Sequence, residues 1–290
     1  MSFPAPMSSY PSVPRRLAVI GGLYAGSERG LTADMLCARA LGFAPVPICT
    51  QLVMAGGGRV TDVTDVPTDT VAAQIDHTFS TGAIAGAKIG ILAGHQTAEV
   101  VLDACDAFGI PVVLDLVASG PSGETVLSAQ GIDAVAARLA IPHLVTISRA
   151  DAELVTGGEI MSLDDAQVAA QRIVNRGARH VVVRLGSLPY RFYDAADDPG
   201  GETTEQPGTP PPFSFDLAFD GEDFALFEAP LLPGDLPEGG SSAFAITALS
   251  GIVDGRPLNE ALQLAKRFAT EALRQSTNGL INADWETRSR

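Results

Sequence analysis

The segment best suited to chemistry is a glycine turn, Pro-Glu-Gly-Gly-Ser-Ser-Ala-Phe-Ala at residues 237–245, which opens directly into an apolar helix. A helix start carries unpaired backbone N–H groups and the positive end of the helix dipole, so it can hold a phosphoryl group. The candidate catalytic residues are Gly239, Gly240, Ser241 and Ser242. A phosphotransferase also uses a base to take the proton of the attacking hydroxyl, and a serine has no group that titrates near neutral pH. Alternatively, one of the two serines simply caps the helix.

The overall charge limits the classes of partner. The 290 residues carry 34 acidic and 19 basic side chains, a net charge of −15. This balance argues against nucleic acid or an anionic membrane surface as a partner. No apolar run is long enough to span a bilayer. A phosphorylated ligand remains compatible, because a helix N-terminus and one or two cations bind phosphate locally. We therefore expect a small-molecule substrate.

The cysteines and the termini bear on location. Cys37, Cys49 and Cys105 lie in apolar runs and form no C-x-x-C pair, which predicts reduced core thiols and a cytoplasmic protein. Residues 1–14 are rich in Pro and Ser and lack the basic and apolar regions of a signal peptide. We expect them to form a flexible N-terminal tail, and residues 281–290 to form a C-terminal tail.

Short apolar runs alternate with amphipathic segments over the first two thirds of the chain. The expected strands are apolar throughout and lie at residues 17–21, 87–92, 110–116, 144–147 and 180–185. The segments with helical spacing lie at residues 30–41, 67–79, 98–108, 132–140 and 163–176. Apolar strands separated by helices predict an α/β fold with one mostly parallel sheet covered on both faces.

The last third of the chain changes to a loop, a hairpin and two helices. Residues 194–212 are acidic and rich in Gly, Pro and Thr, which predicts an exposed, mobile loop. Asp220-Gly221 favours a tight turn between two alternating segments. The hairpin strands and closing helices are expected, in that order, at residues 213–219, 223–227, 242–253 and 258–276. Without a linker or repeat, residues 15–280 are expected to form a single domain.

Four segments carry a resemblance to a known family. They read Gly-Leu-Thr-Ala-Asp at residues 30–34, Ala-Lys-Ile-Gly-Ile-Leu at 87–92, Val-Val-Leu-Asp-Leu-Val at 112–117 and Pro-Ser-Gly-Glu at 121–124. In this order and spacing, the chain resembles the hydroxymethylpyrimidine and phosphomethylpyrimidine kinases of thiamine synthesis, which are ribokinase-like vitamin kinases. The resemblance implies a central, mostly parallel sheet flanked by helices. It also implies ATP- and Mg²⁺-dependent phosphorylation of a hydroxymethyl group on a small heterocycle, by a homodimer.

The resemblance implies an acceptor pocket near the end of the first strand. Gly22 and Tyr24 occupy the family's Gly-Ser-Asp turn, with Tyr24 in place of the aspartate that contacts the pyrimidine. Ala55 falls where a polar pyrimidine contact follows the next strand. From the residues themselves, Asp115 ends a strand, at the sheet edge where open α/β proteins bind ligands. Lys88 begins an apolar run, where it either neutralises a ligand phosphate or extends to solvent.

The resemblance places the nucleotide beside two later strands. Residues 146–151, Thr-Ile-Ser-Arg-Ala-Asp, match the family's Thr-Pro-Asn-x-x-Glu, so Ser148 and Asp151 are expected to organise the phosphates, with Asp151 at the Mg²⁺. Arg184 and Gly186 match a Lys-Gly-Gly turn, and Arg184 is expected to steady the nucleotide phosphates.

The catalytic turn departs from the family pattern at its last two positions. The family reads Gly-Thr-Gly-Cys or Gly-Thr-Gly-Asp where this chain has residues 239–242. Ser241 replaces a glycine, and we expect it to oppose a backbone conformation with positive φ. Ser242 replaces the titratable base. Because positioning and electrostatics supply most phosphoryl-transfer catalysis, slow activity is compatible with this loss.

Three functions stay open at this point. The first is a pyrimidine kinase, slowed by the altered turn. The second is a family member that binds a nucleotide or heterocycle and transfers nothing. The third is a kinase for another acceptor, such as pyridoxal or a sugar. Asp34, on the first predicted helix, is expected to cap the helix, face solvent or contact substrate.

Overall fold

The structure is a computed structural model that describes residues 14–56, 59–120, 122–188, 213–234, 238–276 and 281–283. The predicted loop of residues 194–212 lies outside the described residues, as do most residues of the two predicted tails. Ile281 and Ala283, which the sequence assigned to the C-terminal tail, are buried in the core. All three cysteines are free. Among the described residues, no helix combines the length and apolarity needed to cross a bilayer.

The described strands form one nine-stranded sheet in the order β3-β2-β1-β4-β5-β6-β7-β8-β9. Their bounds are β1 Arg16–Ala25, β2 Ala44–Gly56, β3 Arg59–Asp65, β4 Ile84–Ile89, β5 Val112–Leu116, β6 Leu144–Ser148, β7 Val181–Gly186, β8 Phe213–Phe219 and β9 Phe224–Pro230. Neighbouring strands from β2 to β7 are parallel. β3, β8 and β9 add antiparallel edges. The five strands predicted first all lie in this sheet, which confirms the predicted α/β architecture.

Helices cover both faces of the sheet. Their bounds are α1 Leu31–Ala40, α2 Thr68–Ser80, α3 His95–Phe108, α4 Ala129–Ala136, α5 Arg149–Thr156, α6 Leu163–Asn175, α7 Gly240–Val253 and α8 Leu258–Arg274. Alternate residues of each strand pack into two apolar cores, one on each face of the sheet, because successive side chains of a strand point to opposite faces. One core packs against α2 to α6, and the other packs against α1, α7 and α8.

α7 is the central helix of the second core. Its residues from Ser242 to Gly251 are all buried, as expected for a helix that is apolar around its whole circumference. It crosses β4 and β5, and its N-terminus reaches the carboxyl ends of the parallel strands. The predicted hairpin of β8 and β9 and both closing helices are present. The start of α7 therefore lies at the sheet edge that binds ligands in open α/β proteins, because its N-terminus meets the carboxyl ends of the strands.

Some predicted boundaries were wrong. β4 covers residues 84–89 instead of 87–92. Ile91 and Leu92 lie in the segment after the strand but are buried, so their apolar character did not mark strand residues. α4 begins before the predicted residue 132, because the hydroxyl of Ser128 accepts the backbone N–H of Gly131 and caps the helix. The arm formed by β2 and β3 was not predicted as a pair, and α5 was not predicted as a helix.

Tight packing between α7 and α8 yields a stability prediction. A Cβ added at Gly251 would lie 2.6 Å from the Cβ of Ala261. We expect Gly251→Ala to destabilise the protein by about 1–3 kcal/mol, because the two helices must separate although alanine is the better helix former. Urea unfolding measures the change. Adding Ala261→Gly should recover part of the loss, and a Gly251→Ala protein more stable than the wild type would contradict this packing.

Candidate active site

A pocket of about 450 Å³ opens at the carboxyl ends of β1, β4, β5 and β6, beside the N-terminus of α7. Residues selected from the sequence on both the acceptor and the nucleotide side line it together: Tyr24, Lys88, Asp115, Ser148, Asp151, Gly239, Ser241 and Ser242. A larger open groove of about 710 Å³ lies between β9 and α8, and none of the selected residues lines it. We take the smaller pocket as the candidate active site because the polar side chains converge there.

A buried lysine organises the floor of the pocket. The Lys88 ammonium lies 2.9 Å from a carboxylate oxygen of Asp34 and 3.6 Å from one of Asp115. Burial acts to lower the pKa of Lys88, but the two carboxylates outweigh it and raise that pKa above its usual value. Lys88 therefore stays charged, and of the two alternatives considered for it, extension to solvent is excluded. Its position explains this, because Lys88 pairs with the buried Val19 and Val113 inside the sheet.

Of the three alternatives considered for Asp34, capping α1 and facing solvent are excluded, whereas contact with substrate is compatible with its place in the pocket lining. Its side chain is fully buried, and burial raises the pKa of its carboxyl while the Lys88 ammonium and a hydrogen bond from Ser242 act in the opposite direction. A polar residue beside Ala33 and Cys37 on the buried side of α1 was the signal that could have identified it.

Asp115 connects the sheet to the start of α7. Its carboxylate accepts hydrogen bonds from the Ser241 hydroxyl at 2.7 and 2.9 Å and from the Thr146 hydroxyl at 2.9 Å. Two carboxylates therefore reach the two serines of the glycine turn, Asp115 at Ser241 and Asp34 at Ser242. Lys88 lies between them.

The first turn of α7 keeps the geometry of a phosphate site. Gly239 has φ 98° and is the N-cap, and Gly240 begins the helix without lining the pocket. Among the described residues no side chain caps α7, so the capping role considered for the serines was wrong. The expected obstruction by Ser241 was also wrong, because the positive φ falls at Gly239 and Ser241 lies within the helix. The first backbone N–H groups of α7 thus have no partner within the helix.

Ser148 and Asp151 form the opposite wall. Ser148 caps α5 by accepting the Asp151 N–H, and its hydroxyl donates to the Asp151 carboxylate at 2.8 Å. The other carboxylate oxygen of Asp151 accepts the hydroxyl and N–H of Ser119 and the N–H of Ala118. Burial raises the pKa of Asp151, and these hydrogen bonds act to lower it. Within the described residues, no group of three or more His, Cys, Asp or Glu is arranged to hold a metal ion.

Five selected residues lie outside the pocket lining: Gly240, described above, and Gly22, Ala55, Arg184 and Gly186. Arg184 lies under α7, with its guanidinium 5.3 Å from the Phe244 ring centre and 3.9 Å from Asp216, because it shares a strand face with Val182 of the α7 core. Gly186, with φ 59°, ends β7 beyond it. Ala55 does not follow a strand as expected but pairs within β2, opposite Val60 of β3.

Aromatic and charged side chains line the part of the pocket next to β1. Gly22 lies behind Tyr24, and burial raises the pKa of Tyr24 to about 12. Arg29, which the sequence analysis missed, forms an ion pair with Glu238 at 2.8 Å, and Ser27 donates a hydrogen bond to the same carboxylate. These contacts join the loop after β1 to the turn before α7.

The sheet and its covering helices form the ribokinase-like α/β fold, and two solved structures share this fold. A structure of Staphylococcus aureus pyridoxal kinase in complex with AMP-PCP and pyridoxal superposes with a TM-score of 0.77 at 22% identity, over 94% of both chains. Phosphomethylpyrimidine kinase from Clostridium difficile gives a TM-score of 0.68 at 18% identity, over 89% of this chain and 99% of that one.

Sequence comparison identifies the family. The phosphomethylpyrimidine kinase family profile matches residues 25–282. The hydroxymethylpyrimidine/phosphomethylpyrimidine kinase of Aquifex aeolicus is 29% identical over 259 residues, which cover 89% of this chain and 93% of that protein. The chain therefore belongs to the phosphomethylpyrimidine kinase family.

The two lysines of the chain provide a matched test of the charge cluster. Lys88→Met leaves Asp34 and Asp115 buried without their cation, and we expect a loss of about 3–5 kcal/mol at pH 7. Carboxylates without a cation bind protons more strongly in the folded than in the unfolded protein, so the stability of this variant should rise as the pH falls towards 5. Urea unfolding at both pH values measures this.

Lys266→Met is the control. Lys266 lies 3.0 Å from the buried Asp216, which also has Arg184 at 3.9 Å and so keeps one cation. We expect a smaller loss and a weaker pH dependence. Equal losses and equal pH profiles for the two variants would contradict the assigned coupling of Lys88 to two carboxylates.

Proposed function

We propose that this protein transfers the γ-phosphoryl group of ATP to the hydroxymethyl group of hydroxymethylpyrimidine or its monophosphate. One observation supports this most strongly: the glycine-initiated N-terminus of α7 opens into a pocket that is also lined by Tyr24, Lys88 and Asp151. Membership of the phosphomethylpyrimidine kinase family identifies the acceptor class. The name of the Aquifex aeolicus relative includes both hydroxymethylpyrimidine and its phosphate, and we extend that to this chain.

The residues have separate roles in this proposal. Free N–H groups at the start of α7 bind the phosphoryl group in transfer, with the positive end of the helix dipole behind them. Lys88 adds a fixed positive charge below the pocket. Tyr24 bounds the acceptor site, and Ser148 with Asp151 bounds the nucleotide phosphates. Asp151 is also the carboxylate that would hold Mg²⁺, which fits a cation that keeps several waters and uses one or two carboxylates plus phosphates. When bound, Mg²⁺ neutralises phosphate charge.

Two αL glycines at opposite ends of α7 test the function. Gly239→Ala strains the turn that begins the phosphate site, where the new Cβ would also lie 3.2 Å from Ile281. Gly255→Ala imposes the same kind of strain at φ 73°, in open space past the helix. We expect both to cost about 1 kcal/mol of stability. Only Gly239→Ala should lower turnover, by at least about tenfold, since it alone displaces the N–H groups that face the transition state.

ADP release is measured with hydroxymethylpyrimidine, its phosphate, pyridoxal and a sugar panel. Turnover with either pyrimidine supports the proposal. Turnover with pyridoxal or a sugar, and with neither pyrimidine, would contradict the proposed acceptor and identify a different one. Ligand-induced melting shifts without turnover would indicate a binding protein, and equal effects of the two glycine variants would contradict the phosphate site.

The protein is also proposed to be a cytoplasmic homodimer. The three free cysteines fit a reducing compartment. The carboxyl-terminal halves of β1 and β2 expose neighbouring apolar residues on one face of the sheet. Leu23 is 42% exposed, its register partner Leu52 is 43% exposed, and Met54 is 42% exposed. A contiguous apolar patch of this kind suits a second copy of the chain.

Light scattering after size exclusion tests the dimer. Leu52→Asp should yield a monomer, because a charge would be buried at the interface. Leu226→Asp is the control, since Leu226 is equally exposed but lies on β9 at the far edge of the sheet. A monomeric wild type, or a dimer that survives Leu52→Asp and dissociates with Leu226→Asp, would contradict this interface.

A further inference from the structure

The start of α7 carries a serine–carboxylate pair that has no role in the function as described so far. The Ser241 hydroxyl donates to Asp115 at 2.7 and 2.9 Å, so its lone pairs remain available to another donor. Ser241 is half-buried and lines the pocket, one residue before the position at which the family has its base. Ser242, at that position, has no titrating group.

We propose that Asp115 is the general base of the reaction and that the Ser241 hydroxyl relays the proton to it. This rests on the kinase function proposed above. As the acceptor oxygen bonds to the γ-phosphorus, the bond to the β–γ bridging oxygen breaks and ADP leaves with that electron pair. The acceptor proton passes to the Ser241 oxygen while the proton of Ser241 passes to Asp115. Asp115 ends as a neutral acid and returns its proton to water after product release.

The neighbouring pair, Ser242 with Asp34, is the weaker choice on two grounds. The Ser241 hydroxyl lies 2.9 and 2.7 Å from the two oxygens of Asp115, so this serine and carboxylate are already joined by a hydrogen bond. Asp34 also lies 2.9 Å from the Lys88 ammonium, whereas Asp115 lies 3.6 Å away. The ammonium thus contacts both oxygens of Asp34, the second at 3.0 Å, whereas Asp115 is bonded mainly by hydroxyl groups.

Contacts from three neighbouring elements orient the Asp115 carboxylate. Lys88 from β4 supplies the positive charge, and Thr146 from β6 donates to one oxygen at 2.9 Å. The shorter Ser241 bond goes to the other oxygen. The other titratable groups near this cluster include Asp34 and Cys37 from α1 and Tyr24 from β1, and burial raises the pKa of the Cys37 thiol, which stays neutral. Asp34 is held by Lys88, and Tyr24, with its pKa raised to about 12, stays neutral in the working range.

The test is steady-state turnover as a function of pH for three variants. Asp115→Asn keeps the shape of the side chain and removes the base, so kcat should fall by about 10²–10⁴-fold. The pH profile of kcat should differ between the wild type and Asp115→Asn, because only the wild type has a carboxylate at the end of the relay. Ser241→Ala should lower kcat by at least about tenfold, because it interrupts the relay and leaves the Lys88 cluster paired. Ser250→Ala, on the same helix and away from the pocket, is the control and should retain wild-type kcat.

The outcomes separate this proposal from the kinase function. A wild type that phosphorylates the pyrimidine while both Ser241→Ala and Asp115→Asn stay within threefold of its kcat overturns the relay and leaves the function intact. An added phosphate on Ser241, detected by mass spectrometry of the turning-over enzyme, overturns the relay in favour of a covalent intermediate. If the wild type transfers phosphate to no acceptor, both proposals fail. If Asp115→Asn does not fold, the Ser241→Ala variant tests the relay by itself. A kcat at least about tenfold below that of the wild type supports the relay, and a kcat within threefold overturns it.

Discussion

The buried ammonium of Lys88 is the interaction on which the active-site region depends. It joins α1 through Asp34 to β5 through Asp115, and the two carboxylates in turn reach the first turn of α7 through Ser242 and Ser241. A charge this deep is costly unless it is paired and hydrogen-bonded. The two carboxylates meet this requirement together. If α1 or β5 moved away from β4, a charged side chain would remain buried without its ion-pair partner.

This constraint explains how an apolar helix comes to serve a polar site. α7 is buried along almost its entire length, so the second core fixes its axis. The charge cluster then fixes its N-terminus at the sheet edge. A left-handed glycine is enough to begin the helix there, and the first N–H groups stay free for a ligand because neither serine folds back to cap them. Preorganised donors of this kind are the main resource of phosphoryl-transfer enzymes.

Strand and helix alternation could be predicted from the sequence because β1, β4, β5, β6 and β7 are predominantly apolar on both faces. The arm of β2 and β3 could not, since β2 carries Pro45 and Pro47, which strands tolerate only where an edge is unpaired. That condition depends on tertiary structure. The ion pair of Lys88 with Asp34 could not be predicted for the same reason, because Asp34 lies on a helix 54 residues away in sequence. Strand parity, in contrast, does place Arg184 with Val182 under α7, so this misplacement was avoidable.

A crystal structure with a non-hydrolysable ATP analogue and hydroxymethylpyrimidine tests the central claim most directly. The claim is that the N-terminus of α7 and the Lys88 cluster form one phosphoryl-transfer site. We expect a γ-phosphate oxygen about 2.7–3.2 Å from the backbone nitrogens of Ser241 and Ser242, with the acceptor hydroxymethyl group against the Ser241 hydroxyl. A γ-phosphate bound elsewhere, such as the groove between β9 and α8, would contradict the account.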